Sequence, residues 1–269
     1  MTSERRVAIS HPAVRAARRL RRRRERAATG RLLVEGPNAV DEALGALVEV
    51  FVGPDVSDRV RATAERCAAA GVAVRAVDDR ALDALADART PQGIVGVATR
   101  PAAGLDALAD ASLLVVLDRV ADPGNLGTVI RTADAAGADG VVLTRGSVDP
   151  TNAKAVRASA GSLFHLPVVD DLEPAALAAH CRESGMRLVG AVAHAARHYA
   201  DLSWSSPTAI VFGNEAHGLS AAMQRHIATS VSVPIRRPSR PGYRGHAESL
   251  NLATTAAIVV FEVARQRGT

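Results

Sequence analysis

The feature that most constrains this chain is a series of short, wholly apolar runs, each followed by a stretch of helical periodicity. Residues 113–117 read Leu-Leu-Val-Val-Leu, residues 140–143 Gly-Val-Val-Leu, and residues 209–212 Ala-Ile-Val-Phe. Unbroken apolar succession suits a strand buried on both faces, and intervening helices are the crossovers that a parallel sheet requires. The pattern predicts strands at 113–117, 140–143, 164–169, 187–193, 209–212 and 231–235. Helices are predicted between them at 124–136, 152–160, 173–184 and 221–227, with a last long one over 248–266. A shorter alternation precedes this, with strands at 31–35, 47–52, 72–75 and 94–98 and helices at 37–44, 57–70 and 79–86. It predicts a small three-layer α/β domain. The chain thus parses into an arm (1–29), a first domain (30–99), a linker (100–111) and a larger parallel-sheet domain (112–269).

Charge is concentrated at one end. Between Arg15 and Arg26 stand eight arginines and one glutamate, a local +7 in a chain whose net charge is only +5. The segment 11–26 lacks glycine and has Pro12 at its start, so it is expected to be a helix. Arg236, Arg237, Arg240 and Arg244 form a second cluster in a segment without acids. Clustered cations are the footprint of a phosphate-backbone ligand, because they steer it and release its counterions. No apolar run approaches the roughly 18 residues needed to span a bilayer, and the polar, arginine-rich N-terminus offers no secretory core. A cytoplasmic protein without membrane partners is the expectation. Cys67 and Cys181 lie far apart in alanine-rich helical patterns, away from any metal-ligand spacing, and read as small buried side chains rather than a disulfide.

A doubly wound sheet raises the prospect of dinucleotide binding, but the phosphate loop is missing. The nearest candidate, Gly124-Asn-Leu-Gly127, has the wrong spacing for G-x-G-x-x-G, and there is neither a G-x-x-x-x-G-K-[ST] loop nor a G-x-S-x-G elbow. Three polar patches remain, each at the C-terminal end of an apolar strand, where open α/β sheets bind ligands. The first runs Asp118-Arg-Val-Ala-Asp-Pro-Gly-Asn125-Leu-Gly127 and on to Arg131-Thr-Ala133. The second is Gly213-Asn214-Glu215-Ala-His-Gly218-Leu-Ser220. The third is Val233-Pro-Ile235, an Arg/Pro/Gly loop, then Ser249-Leu250-Asn251-Leu-Ala253.

In that order these patches resemble the three signature motifs of the SpoU/TrmH-like RNA 2′-O-ribose methyltransferases of the SPOUT superfamily. Residues 31–98, with Glu35-Gly36 near the start and Thr90-Pro-Gln-Gly93 near the end, resemble that family's substrate-binding extension, an L30e/L7Ae-like α/β domain. The resemblance implies a deep trefoil knot in the C-terminal sheet, which periodicity could not have shown, and a homodimer in which the last helix offers Leu252, Ile258, Val259 and Phe261. It implies S-adenosyl-L-methionine as cofactor, no metal, and methyl transfer to RNA, with rRNA favoured over tRNA. Gly213, Asn214, Val233, Ile235 and Leu250 would hold the cofactor, and Asn125, Arg131, Glu215, Ser249 and Asn251 would serve the reaction. Arg131 would bind a phosphate and polarise the 2′-oxygen, since a guanidinium keeps its proton in proteins, and Glu215 would orient it or accept charge. The connection 236–248 is longer than the family pattern, suiting a lid or an added substrate contact. The competing reading is a non-catalytic RNA-binding protein on the same fold.

Overall fold

The structure, a computed structural model, describes residues 6–88, 90–235 and 249–268. The arginine cluster at 236–244 and the long 236–248 connection, through which a knot would be threaded, lie outside the described residues. The chain divides into two compact units, Met1–Pro101 with Asp149–His165, and Ala102–Val148 with Leu166–Thr269.

The first unit opens with α1 (Pro12–Arg19) and α2 (Arg23–Thr29), followed by β1 (Arg31–Glu35), α3 (Pro37–Glu42), β2 (Leu47–Val52), α4 (Asp58–Ala69), β3 (Ala73–Ala76), α5 (Asp79–Leu85) and β4 (Ile94–Thr99). Its sheet runs β1-β4-β2-β3, with β4 antiparallel to β1 and β2, and β3 parallel to β2. Phe51, Val95 and Val97 face α1 and α5, whereas a side chain at Gly96 would point the other way, into Val40 of α3 and Leu47. The single helix expected over 11–26 is broken. Leu20 is buried in the same cluster as Val14 and Ala17 of α1, and Arg22 turns extended. Carbonyls of Leu20 and Arg21, freed at the break, accept from the Arg26 guanidinium at 3.0 and 3.1 Å. The arm is therefore part of the unit's core rather than an appendage. Of the eight arginines from Arg15 to Arg26, seven are exposed; Arg26 is 8% exposed, and its Nη2 pairs with Asp149 at 2.6 Å while Nε donates to Thr151.

In the second unit come β5 (Leu113–Leu117), α6 (Pro123–Ala135) and β6 (Gly140–Thr144). The chain then passes into the first unit for α7 (Ala153–Ser159), which packs on β1. It returns as β7 (Val168–Leu172), α8 (Pro174–Glu183), β8 (Arg187–Ala191), β9 (Thr208–Phe212), α9 (Ala221–Gln224), β10 (Thr229–Val231) and α10 (Leu252–Arg267). The strand expected at 164–169 instead begins at Val168, after a 3-10 turn over Ser162–Phe164. Similarly, β10 stops at Val231 rather than reaching Ile235. All five pairings of the six-stranded sheet, order β10-β8-β9-β5-β6-β7, are parallel. Every residue of β5 and β9 is buried, and each buried Leu, Val or Ile contributes about 1.5–3 kcal/mol. Leu114, Val116 and Val211 pack beneath α8 and α9 with Leu177, Cys181 and Met223, while α10 lies along α6. Both cysteines are free and buried, and burial pushes the Cys181 thiol up to about 11. Trp204 is a packing residue, fully buried with Nε1 donating to the Tyr199 carbonyl at 2.9 Å. Of the four apolar residues expected on an interface face of α10, Leu252 and Val259 are buried within the subunit, whereas Ile258 is half-buried and Phe261 is 49% exposed.

Candidate functional site

Strand order reverses where β9 inserts between β5 and β8, and the loops leaving these strands meet at the C-terminal edge of the sheet, the place where open α/β folds hold ligands. Asp118, at the end of β5, is fully buried. It accepts from Thr144 Oγ1 on β6 at 2.8 Å and from the Ser220 amide at 2.6 Å. One carboxylate thus ties together the ends of β5 and β6 and the loop that follows β9. No functional role for Asp118 follows from its sequence context; its signal is a lone acid directly after five apolar residues.

The loop after β9 closes on itself. Asn214 and Gly218 exchange backbone hydrogen bonds at 2.9 and 2.8 Å. A methyl group on Gly213 would stand 2.2 Å from the Gly218 carbonyl carbon, so only glycine permits this closure. Asn214 is committed to the loop, with Nδ2 donating to the Arg119 carbonyl and Oδ1 accepting from the amides of Ala216 and His217. The closed loop then projects Glu215 toward the start of α6. The Glu215 carboxylate accepts from the Ala121 amide at 3.2 Å, the Asp122 amide at 3.3 Å and Asn125 Nδ2 at 3.0 Å. Burial raises the pKa of this carboxyl, but the hydrogen bonds from Asn125, its own backbone N–H and the Ala121 and Asp122 amides outweigh it and hold the group below its ordinary value. Glu215 is therefore an ionised acceptor at neutral pH and a poor base.

Asn125 carries the connection onward. Its amide N–H is capped by Asp122 at 2.8 Å, and its Oδ1 accepts from Asn251 Nδ2 at 3.0 Å. Asn251 caps α10, with Oδ1 accepting from the Ala253 amide at 2.8 Å. The polarity of the row is fixed at both ends. A carboxylate can only accept, so Asn125 must present its NH2 to Glu215; a helix cap must accept, so Asn251 must present its NH2 to Asn125. The three patches are thereby joined through one residue each.

Beside this junction opens a cleft of about 480 Å³ lined by the loops after β8, β9 and β10 and by the start of α10. Gly213, Asn214, Val233, Ile235 and Leu250 all line it, as do Glu215, Ser249 and Asn251. Ile235 and Leu250, each 37% exposed, present apolar surface to the same cleft. Ser249 is exposed, and its hydroxyl makes no hydrogen bond among the described residues.

Arg131 is not brought into the junction. It follows Asn125 by six residues on α6, which sets it about 9 Å farther along the axis and about 120° around it. The side chain is exposed and pairs with neither Glu215 nor any other described residue. Glu215 consequently does not orient Arg131; it orients Asn125. Among the described residues no group of His, Cys, Asp and Glu is placed to hold a metal ion, and no helix is long and apolar enough to cross a membrane.

Residues 112–261 match the SpoU rRNA Methylase family, and residues 11–96 match the MRM3-like substrate binding domain. The chain is 34% identical over 249 residues to the 23S rRNA (guanosine(2553)-2′-O)-methyltransferase RlmP of Bacillus subtilis, an alignment covering 91% of this chain and 93% of the relative. It is 35% identical over 184 residues to the 23S rRNA (uridine(2479)-2′-O)-methyltransferase of Streptomyces viridochromogenes, covering 66% and 61% of the two chains. Among solved structures, the SpoU methyltransferase AviRb from Streptomyces viridochromogenes, in complex with the cofactor AdoMet, superimposes with a TM-score of 0.81 at 28% identity, covering 96% of this chain and 99% of that one.

Proposed function

Because the chain belongs to the SpoU rRNA methylase family, we propose that it transfers a methyl group from S-adenosyl-L-methionine to a ribose 2′-hydroxyl of RNA, with 23S rRNA as substrate. The observation that carries this reading is the junction of Glu215, Asn125 and Asn251 beside a cleft with exposed apolar walls. The cleft suits the cofactor. Its volume lies within the range of small-ligand pockets, Val233, Ile235 and Leu250 offer apolar surface for an adenine, and Ser249 and the glycine-lined loop offer polar groups for a ribose and an amino-acid tail.

When bound, S-adenosylmethionine supplies a sulfonium-activated methyl group, so what remains for the protein is placement and electrostatics. Asn125 and Asn251 hold the N-termini of α6 and α10 at a fixed separation, and with them the walls against which a ribose is presented. Glu215, already ionised and hydrogen-bonded, sets Asn125 rather than removing a proton. Arg131, exposed and unpaired among the described residues, can take the phosphate next to the target ribose and polarise its 2′-oxygen. That role leaves the guanidinium protonated. The two 23S rRNA relatives modify a guanosine and a uridine; a reaction at the ribose is indifferent to that difference, and the base is read elsewhere.

The RNA-binding part comprises residues 1–29 and 30–99, joined by 100–111 to a methyl-transfer part over 112–269. The same reading includes a trefoil knot within that second part, a homodimer through the face of α10 that carries Ile258 and Phe261, and a cytoplasmic location; a monomer at micromolar concentration in sedimentation would remove the dimer. Calorimetry with S-adenosylmethionine and methyl transfer to 23S rRNA test the activity together. Arg131→Ala is expected to bind the cofactor within a few-fold of the parent and to lose roughly 100- to 1000-fold in rate, the scale of removing one transition-state hydrogen bond. Near-parental turnover by this variant would overturn the role given to Arg131.

A further inference from the structure

Among the described residues, four that are not glycine hold a positive φ: Asp55, Arg119, Ala160 and Asp171. Aspartate takes this left-handed region more readily than most residues, and Ala160 is the C-cap of α7. Arg119 has neither reason. It follows the buried Asp118 at the C-terminal end of β5 with φ at 58°, a conformation that glycine would take without strain.

The surroundings impose it from several sides. The Arg119 amide donates to Thr144 Oγ1 at 3.0 Å, and its carbonyl accepts from Asn214 Nδ2 at 2.8 Å. One residue on, the Val120 carbonyl accepts from the Val148 amide at 2.9 Å. The backbone here is thus fixed between the end of β6 with its following loop and the loop after β9 that carries Glu215. The side chain takes its own course. Its stem runs over Gly146, where a Cβ would stand 3.6 Å from Nε and 3.8 Å from Cγ, and it is not part of the cleft wall. Arg119 is exposed, and its guanidinium has neither an acid nor a hydrogen-bond partner among the described residues. Arg145, next to Gly146 in the chain, is by contrast paired with Asp171 and Glu173. Strained conformations persist where the surrounding structure over-determines them, and they gather at ligand sites. An unpaired cation held in this way at the ligand-binding edge of the sheet suits an anion.

We propose that Arg119 holds a phosphate of the substrate RNA next to the ribose that is methylated. The proposal rests on RNA methyl transfer as read above and adds a substrate contact to it. A ribose within RNA stands between two phosphates. Arg131, six residues after Asn125, can take one of them, and Arg119, six residues before it, is free for the other. A planar guanidinium can grip two phosphate oxygens at once. Such a contact is alike in the ground and transition states, so it acts on binding rather than on the rate of the bound complex.

Arg119→Gly gives a sharp test, because every hydrogen bond that residue 119 makes to its neighbours is a backbone one and glycine accepts the same φ. Methyl transfer to 23S rRNA transcribed in vitro is measured against RNA concentration at several salt concentrations. The variant is expected to raise KM for RNA roughly tenfold, the scale of one hydrogen bond to a charged group, with kcat close to the parent's. The dependence of log KM on log salt should flatten by roughly 0.7–0.9, the share of one phosphate. Arg119→Lys, which keeps the charge, should restore that slope. Urea unfolding is expected to show a midpoint no lower than the parent's, and calorimetry an unchanged affinity for S-adenosylmethionine. Parental KM and slope in Arg119→Gly overturn the phosphate contact and leave the methyl-transfer reading standing. A lowered unfolding midpoint would make the residue structural, and a loss of cofactor affinity would assign it to the cofactor carboxylate; either overturns the proposal. A parent that transfers no methyl group to RNA overturns both readings together.

Discussion

The row Glu215–Asn125–Asn251 can be reversed on paper, which makes it a strong test of whether it holds the site together. Glu215→Gln must set its NH2 against a donor in either orientation: against the Ala121 amide if the oxygen stays with Asn125 and Asp122, or against the NH2 of Asn125 if it turns over. In the second orientation Asn125 can turn over to meet it, but then its NH2 faces that of Asn251, which cannot turn without releasing the cap on α10. Asn251→Asp creates the mirror problem: the cap survives, since Asp caps as well as Asn, but the Asn125 oxygen now faces a carboxylate. Each single change leaves one polar pair mismatched in a part-exposed setting, at about 1–2 kcal/mol. The double variant restores the row in reversed sense, with the new side-chain amide at position 215 donating to Asn125 and Asn125 donating to the new carboxylate at position 251; only the long Asp122 amide contact, which shares Oε1 with Asn125, is not recovered. We expect the singles to lose stability and cofactor affinity, and the double to recover most of both, with a coupling of about 1 kcal/mol or more, within the range for groups in one hydrogen-bond network. Urea unfolding and calorimetry with S-adenosylmethionine on the four proteins close the cycle. Independent groups add within about 0.3–0.5 kcal/mol; additivity to that limit would show that the row transmits no polarity between the three loops.

Three further outcomes follow from the same geometry. Arg26→Ala leaves Asp149 and Thr151 without their buried partner and should destabilise the first unit by about 3–5 kcal/mol, read by urea unfolding; a loss below about 1 kcal/mol, the scale of an exposed pair, would mean that solvent replaces the guanidinium. Changing Arg18, Arg19, Arg22 and Arg23 to Gln keeps α1 packed through Val14, Ala17 and Leu20, and should flatten the dependence of log K on log salt by roughly 0.7–0.9 for each phosphate no longer neutralised; an unchanged slope would make the run a solvated face. Glu215 titrates below the ordinary 4.5, so its contribution to stability is present in full above that ordinary value and is lost as pH falls through the lower folded one. Glu215→Gln should accordingly show a shallower acid limb than the parent in a stability–pH profile, and the same limb in both would assign it to other carboxylates.

What the sequence made legible, and what it did not, divides along physical lines. Apolar runs such as 113–117 specify strands buried on both faces because few other environments take five such residues in succession, and all six parallel strands appear, with shifted bounds at β7 and β10. The polar patches were legible because ligands gather where such strands end, and the structure brings the loops that carry them to one sheet edge. Periodicity carries no information about relations set by the return path of the chain. That is why α7 packs on β1 of the first unit although its sequence neighbours build the second, and why an arginine run holds one member, Arg26, that is structural while its seven neighbours face solvent. It also explains Glu215, whose partner is Asn125 and not Arg131. Six residues along a helix look adjacent in sequence but face different ways, whereas Asn125 and Asn251, 126 residues apart, share a hydrogen bond. The direction of that bond was never in the pattern of residue types. It follows from a carboxylate that must accept at one end and a helix that must be capped at the other, and only the fold sets those two demands facing each other.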